Sequence, residues 1–118
     1  MTLLRSITFG VLLIPVIVAA DATDTTAEIE YLLSTLGSSE CTFVRNGKSH
    51  NAEEAEEHLR MKHRRGKRYV TTTETFIKRL ASRSSMSKKP YYVECPDDEP
   101  VPSGDWLMQR LSDYRSGR

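Results

Sequence analysis

The stretch "CTFVRNGKSH", residues 41 to 50, decides the fold because it has the pattern of a β-hairpin. Phe43-Val44 favours a strand, and Asn46-Gly47 is the strongest short signal for a two-residue hairpin turn. Both central residues of such a turn need a positive φ, which asparagine and glycine tolerate best. The sequence therefore predicts two short antiparallel strands joined by a tight turn.

The stretch that follows, "NAEEAEEHLRMKHRRG", has the pattern of an amphipathic helix. Asn51 and Glu54 have the spacing of a capping box, which satisfies free N–H groups at a helix start. The glutamates come first and the basic residues last, as the helix dipole favours. We predict a helix that ends at Gly66 and has an inward stripe of Ala52, Ala55 and Leu59.

The segment before the hairpin predicts a first helix over residues 26–36. Thr25 and Glu28 have capping-box spacing, and Gly37 is placed as a C-terminal stop. Apolar residues recur at helical spacing, namely Ile29, Leu32, Leu33 and Leu36. One face of this helix is therefore expected to pack on the core.

The second half of the chain predicts two more helices and one strand. Thr71 and Glu74 mark the start of a third helix, which ends near Ser82. A polar loop leads to the strand "PYYVEC", residues 90–95, and "PDDEPVPSGD" is predicted to be a turn-rich linker. A last helix carries Trp106, Leu107, Leu111 and Tyr114. The fold class predicted is α+β: a small single domain with about four helices packed on a small antiparallel sheet, made of the Asn-Gly hairpin and one later strand.

The first residues, "MTLLRSITFGVLLIPVIVAADA", have the three parts of a secretory signal peptide. The apolar run from Ile7 to Val18 is shorter than the roughly 20 residues of a spanning helix, although a retained anchor is the alternative. Small residues favour cleavage after Ala20, with a second position after Ala22. We expect residues 1–20 to be a cleaved signal peptide and residues 21–118 to be a single periplasmic or secreted domain. Its contact with the membrane would be transient, through the signal peptide.

Composition excludes one class of partner and leaves another open. The chain has 17 basic and 16 acidic residues, and the loss of Arg5 with the signal peptide makes the two counts equal. A neutral exported domain has no overall field that attracts a polyanion, so nucleic acid is not an expected partner. One local exception is "KHRRGKR", from Lys62 to Arg68, which is either a solvated helix end or a patch for anionic lipid, lipopolysaccharide or peptidoglycan carboxylates.

Two cysteines, Cys41 and Cys95, are present in the chain. An even number of cysteines in an exported protein predicts a disulfide. Antiparallel pairing of the hairpin with the later strand would bring the two together. Two buried thiols or a redox pair are the alternatives, although the sequence has no C-x-x-C motif.

Four stretches resemble the YfeK-like family of small bacterial envelope proteins, a family of unknown function. They are "FVRNG", "EEAEEHLRMK", "TTTETFIKRLASRSS" and "KPYYV", in this order. The resemblance covers nearly all of the chain after the signal, and it implies an exported domain without implying an activity. The family pattern has Ser-Gly before Lys-Pro-Tyr, whereas Ser87 is followed here by Lys88. If that glycine takes a positive φ, we expect a different loop shape in this chain.

A cluster of histidine and glutamate is the first candidate for chemistry. Glu54 and His58 are four residues apart and share a helix face, and His50 lies within reach of Glu54 across the turn. His63 points about 140° further round, at roughly 100° per residue. Zinc needs three or four convergent ligands, and only His50, Glu54 and His58 can be argued, so a helix-flank histidine bound to a glutamate is the preferred interpretation.

Arg45 and three serines are polar residues of the family-like stretches that no turn or cap explains: Ser84, Ser85 and Ser87. We interpret them as a ligand-contacting surface. The sequence has no assembled nucleophile, base and oxyanion set and no phosphate loop, and we expect no cofactor. A non-catalytic binding or accessory domain of the bacterial envelope is therefore favoured, with an envelope protein or a cell-wall or lipid component as partner. The alternative is a small hydrolase or metal-binding protein that uses the His/Glu cluster.

Overall fold

A computed structural model describes residues 8–14 and 22–117. The remainder of the predicted signal peptide, with the cleavage position after Ala20, lies outside the described residues. Residues 8–14 are exposed and belong to no helix or strand. Within the described ranges, no helix has the length and apolar character needed to cross a membrane.

Four helices and four strands follow one another along the described chain, with a short 3₁₀ turn at Lys67–Tyr69 and a π-helical turn that extends the third helix. The helices are α1 (Ala22–Gly37), α2 (Ala52–Gly66), α3 (Thr73–Phe76, continued by Ile77–Ala81) and α4 (Ser103–Arg115). The strands are β1 (Thr42–Arg45), β2 (Lys48–His50), β3 (Tyr92–Glu94) and β4 (Val101–Pro102). The predicted α+β class, with its four helices, is confirmed.

The strands form one antiparallel sheet in the order β2-β1-β3-β4. Asn46 and Gly47 join β1 to β2 with φ values of 51° and 75°, as a two-residue hairpin turn requires. The later strand β3 pairs with β1, and Phe43 lies opposite Val93. Phe43 and Val93 are buried under the helices, whereas Tyr92 points to the exposed face of the sheet.

The predicted turn-rich linker between β3 and α4 contains a short strand that the sequence did not indicate. Val101 and Pro102 form β4, in which Val101 pairs with Val93. Proline is accepted here because β4 is an edge strand, where a missing N–H removes no bond from the interior of the ladder. The sheet therefore has four strands, one more than the sequence indicated.

Two predicted helix starts were wrong. Helix α1 begins at Ala22, so Thr25 lies inside it. The Glu28 carboxylate accepts a hydrogen bond from the Thr73 hydroxyl at 2.7 Å, and it also pairs with Arg115 on α4. The third helix is capped by Thr72, whose hydroxyl accepts from the Thr75 N–H at 3.1 Å, and Thr71 lies outside it.

Gly37 ends α1, as predicted, and it has a packing role as well. It is the last residue of α1, but its φ is not positive. A Cβ at this position would lie 1.7 Å from the Glu56 carboxylate oxygen of α2. Gly37 therefore lets α1 and α2 approach closely. Arg60 on α2 bridges this contact, because it donates to Glu30 on α1 at 2.7 Å.

Cys41 and Cys95 form a disulfide that joins the start of β1 to the end of β3. It lies beside the core, which the helices build against one face of the sheet. The largest fully buried apolar side chains of that core are Phe43, Phe76, Leu32, Leu33, Leu36, Leu59, Leu107 and Leu111.

Candidate functional site

A cleft of about 400 Å³ opens between α2, the end of β1 and the loop of residues 82–90 that follows α3. We call it the cationic cleft. Its innermost side chains are Lys62, Ser84 and Tyr91, of which 8%, 6% and 1% of the surface is exposed. The floor of the cleft therefore consists of polar side chains that are almost completely shielded from solvent.

Lys62 is the central residue of this floor. Its Nζ donates to the Tyr91 phenolic oxygen at 3.0 Å and to the Arg83 backbone carbonyl at 2.9 Å. Nζ also lies 4.9 Å from the centre of the Tyr91 ring, a cation–π distance. An ammonium has three N–H donors, and these two bonds use two of them.

Lys62 is buried without an acidic partner. Across residues 22–117, none of the ion pairs includes this lysine. Burial, followed by the nearby charges of Arg45 and Lys88, lowers the pKa of Lys62 to about 8. Buried lysines are rare unless they pair with an acidic group, so the burial of this unpaired ammonium requires a physical reason.

His58 adds a second titratable group to the floor. Its Nε2 lies 3.3 Å from the Tyr91 phenolic oxygen, and the two rings meet edge to face at 6.0 Å. Burial, followed by the charges of Arg45, Lys62 and His50, lowers the pKa of His58 to about 4. The imidazole is therefore neutral at pH 7, and its bond to Tyr91 completes a Lys62–Tyr91–His58 chain.

The outer part of the cationic cleft combines cations with flexible apolar side chains. Arg45 is half-buried at the end of β1, and Arg65 is exposed one helical turn after Lys62. Leu80, Met61 and Met86 supply the apolar surface, and Met86 is 92% exposed. Within the part of the chain that the structure describes, no aspartate or glutamate lines this cleft.

The 82–90 loop is held to the hairpin by serine hydroxyls. The Ser84 hydroxyl oxygen accepts from the Ser87 N–H at 3.2 Å, and the Ser87 hydroxyl donates to the Asn46 side-chain oxygen at 2.6 Å. Lys88 has a φ of 63°. Lys88, which follows Ser87 where the resemblance implies a glycine, thus takes a positive φ itself.

The structure brings three of the four predicted ligand-contacting residues together. Arg45, Ser84 and Ser85 all line the cationic cleft, whereas Ser87 lies outside it and binds the hairpin turn. Sequence reasoning included Lys62 in the basic run from Lys62 to Arg68 but did not predict its burial, and it did not place Tyr91 at this site. A signal for Lys62 was available, because it lies three residues after Leu59 and continues the inward stripe of α2.

The His/Glu cluster is divided between two places. His50 Nδ1 lies 3.1 Å from the Glu54 carboxylate, as expected for a helix-flank pair. His58 faces Tyr91 instead, and His63 packs edge-on against Phe76 at 5.3 Å. Among the residues described, no three side chains of the histidine, cysteine, aspartate or glutamate type converge as a metal ion requires.

A second hollow, of about 480 Å³, lies at the other end of the sheet beside α4. Its lining has the opposite charge, with Asp98, Glu99 and Asp105. Arg110 already lies over the Trp106 ring there, at 5.2 Å from the ring centre. The aromatic face of this hollow is thus occupied by a side chain of the protein itself.

Comparison with known proteins places the chain in a family. Residues 23–115 match the model of a family of unknown function, DUF5329. The uncharacterized protein YfeK of Salmonella typhimurium (strain LT2) is 46% identical over 66 residues, which cover 55% of this chain and 55% of that relative. The chain thus spans about half the length of this curated relative, and no solved structure matches it. Since the family match covers most of the chain, the protein belongs to the DUF5329 family and carries a YfeK-like domain of unknown function.

Proposed function

We propose that this protein is an exported, non-catalytic binding domain of the bacterial envelope, and that the cationic cleft binds an anionic group of its ligand. The disulfide between Cys41 and Cys95 supports the exported location, because disulfides persist in oxidising compartments. The predicted signal peptide supports it independently. The partner is then an envelope protein or a cell-wall or lipid component that carries negative charge.

The buried ammonium of Lys62 is the observation that carries this proposal. A charge removed from water costs free energy unless an opposite charge accompanies it. Arg45 and Arg65 add positive charge to the same cleft, and no carboxylate in the described lining balances it. A bound anion offsets this cost and takes the third N–H of Lys62.

Calorimetry on the purified full chain at low salt tests the proposal with inorganic phosphate, succinate and citrate. We expect saturable binding of at least one anion, which weakens as salt is added. Arg65→Glu should weaken binding at least tenfold. Arg64→Glu is the matched control, because it makes the same charge change one residue away at an exposed position outside the cleft lining.

Two results would contradict the proposal. The first is the absence of saturable binding for all three anions, and the second is an equal effect of the Arg64 and Arg65 variants. The location has its own test, which is crosslinking of the tagged protein in the cell followed by fractionation. Recovery in the cytoplasm, with the leader still attached, would disprove export.

A further inference from the structure

We infer that the anionic group in the cationic cleft is a phosphate ester, with its phosphoryl oxygens at the floor and its carbon chain along Met61, Leu80 and Met86. This inference rests on the proposed function and names the ligand class for the same site. It follows from the charge of the cleft, the directions of its donors and the apolar surface above them.

The charge of the cleft matches a dianion better than a monoanion. Arg45, Lys62 and Arg65 contribute three positive charges, and the described lining holds no carboxylate. A phosphate monoester carries about −1.5 to −2 charges at pH 7, whereas a carboxylate carries only one. A single carboxylate would leave more of the positive charge in the cleft uncompensated.

The donors approach from different elements of the fold. Lys62 and Arg65 come from α2, Arg45 comes from β1, and Ser84 and Ser85 come from the 82–90 loop. A phosphoryl group presents three strong acceptor oxygens in a tetrahedral arrangement, whereas the two oxygens of a carboxylate lie in one plane. Donors around a cavity therefore fit the phosphoryl group better.

Ser84 is prepared to donate into the cleft. Its hydroxyl oxygen already accepts from the Ser87 N–H, so the serine's own proton is left for another acceptor. Ser84 is buried, with 6% of its surface exposed, and its position is fixed by the backbone bond from its N–H to the Lys89 carbonyl at 2.9 Å. Together with Lys62 it gives the floor two donors whose positions the fold determines.

The apolar surface indicates that the ligand has a carbon chain. The cleft volume of about 400 Å³ lies within the range of small-molecule sites, roughly 300–1,000 Å³, and exceeds the needs of a bare anion. Methionine side chains are flexible and adapt to chains of irregular shape. Met86, at the exposed end, lies where such a chain leaves the cleft.

A panel of small probes tests the inference by calorimetry on the full chain. Hexyl phosphate, heptanoate and inorganic phosphate separate the contribution of the phosphoryl group from that of the chain. We expect hexyl phosphate to bind at least tenfold tighter than heptanoate, and tighter than inorganic phosphate. The Met86→Ser variant should reduce the preference for hexyl phosphate over inorganic phosphate.

Vesicles identify the source of the phosphate ester. If the protein binds phosphatidic acid vesicles more tightly than soluble hexyl phosphate, the ligand is a lipid headgroup. Phosphatidylcholine vesicles are the control for this comparison. Binding restricted to hexyl phosphate indicates a soluble phosphate ester. Either result agrees with the inference, because both ligands carry the same phosphoryl chemistry.

Two outcomes of the probe panel would contradict the inference, and they differ in whether the proposed function survives. Heptanoate that binds as tightly as hexyl phosphate overturns the phosphate assignment and leaves an anion site. Failure of every anion to bind overturns both. Lys62→Met should abolish hexyl phosphate binding, and the exposed Arg65→Glu provides the same test if the buried variant does not fold.

Discussion

The ammonium of Lys62 donates to the Tyr91 phenolic oxygen at 3.0 Å, and this bond connects the C-terminal third of α2 to the residue that precedes β3. Both side chains are buried. The bond therefore does two things, because it fixes the relative position of helix and sheet and it holds a positive charge at the floor of the cleft.

The first prediction concerns the pH dependence of stability. The pKa of Lys62 falls from its ordinary value of 10.5 to about 8 in the folded protein. The unfolded chain therefore binds more protons between pH 8 and 10.5, so the free energy of unfolding rises with pH across this window. Below pH 8 the Lys62 ammonium stays charged in the folded protein, so the full free-energy cost of burying the charge is present there.

Lys62→Met should remove this rise because methionine does not titrate. Relative to the variant, we expect the wild-type protein to gain about 3 kcal/mol of stability between pH 8 and 10.5, by the usual conversion of a pKa difference. Urea denaturation at a series of pH values measures it. If the free energies of unfolding of the two proteins changed in parallel with pH, this result would contradict the burial of the Lys62 ammonium.

The second prediction concerns His58. Its pKa of about 4 reflects burial together with the charges of Arg45, Lys62 and His50, all of which oppose protonation. A phosphate ester in the cleft should raise this pKa toward its ordinary value of 6.5, because the dianion favours imidazolium. Protonated His58 then donates from Nε2 to Tyr91, and the Tyr91 O–H turns to the ligand.

Proton uptake on binding makes affinity pH-dependent. By linkage, the affinity of the wild-type protein for hexyl phosphate should rise relative to that of His58→Gln as the pH falls from 6.5 to 4, because both proteins meet the same loss of the ester's second charge at about pH 6. NMR titration of the His58 ring, with and without hexyl phosphate, measures the two pKa values directly. An unchanged titration of His58 in saturated protein would refute this coupling, and His58→Gln should lack it.

The third prediction concerns backbone strain at Lys88. A φ of 63° is unfavourable for a side chain with a Cβ, by roughly 1–2 kcal/mol, and costs glycine little. Lys88→Gly should therefore stabilise the protein by about 1 kcal/mol relative to Lys88→Ala, measured by thermal denaturation. Both variants lose the same charge, so the comparison isolates the backbone. A more stable alanine variant would show that the loop has another conformation.

The fourth prediction concerns the disulfide. Cys41 and Cys95 are separated by 54 positions, and the chain-entropy treatment assigns about 4 kcal/mol to closing a loop of this length. The Cys41→Ala/Cys95→Ala double variant should lose about this amount in urea denaturation. Treatment with reductant should lower the stability of the wild-type protein and leave the double variant unchanged. A reductant effect on the variant would point to a cause other than the disulfide.

Local signals in the sequence were sufficient where a short stretch determines its own conformation. Asn46-Gly47 forms the turn because these two residues tolerate its positive φ values, and Asn51 caps α2 because its side chain reaches the Glu54 N–H at 2.8 Å. The cysteine pairing followed from the antiparallel neighbours β1 and β3. The turn and the helix cap need no partner from elsewhere in the chain, and the disulfide could be predicted because the chain has two cysteines.

Features that depend on tertiary partners were not predictable. Thr73 donates to Glu28, 45 positions earlier in the chain, and Thr72 is the cap of the third helix among three consecutive threonines. Val101–Pro102 became a strand because β3 offered an edge for pairing. The burial of Lys62 was not predicted because a lysine in a basic stretch is normally solvated, and its partners Tyr91 and the Arg83 carbonyl come from distant parts of the chain.

The β1–β3 ladder has its two important features at opposite ends. The disulfide follows the Thr42–Glu94 pair, and the cleft residues Arg45 and Tyr91 follow the Val44–Tyr92 pair. Reduction therefore frees the ladder from the end away from the ligand. A reducing environment would then expose the chain to proteolysis first at the end of the ladder opposite the cationic cleft.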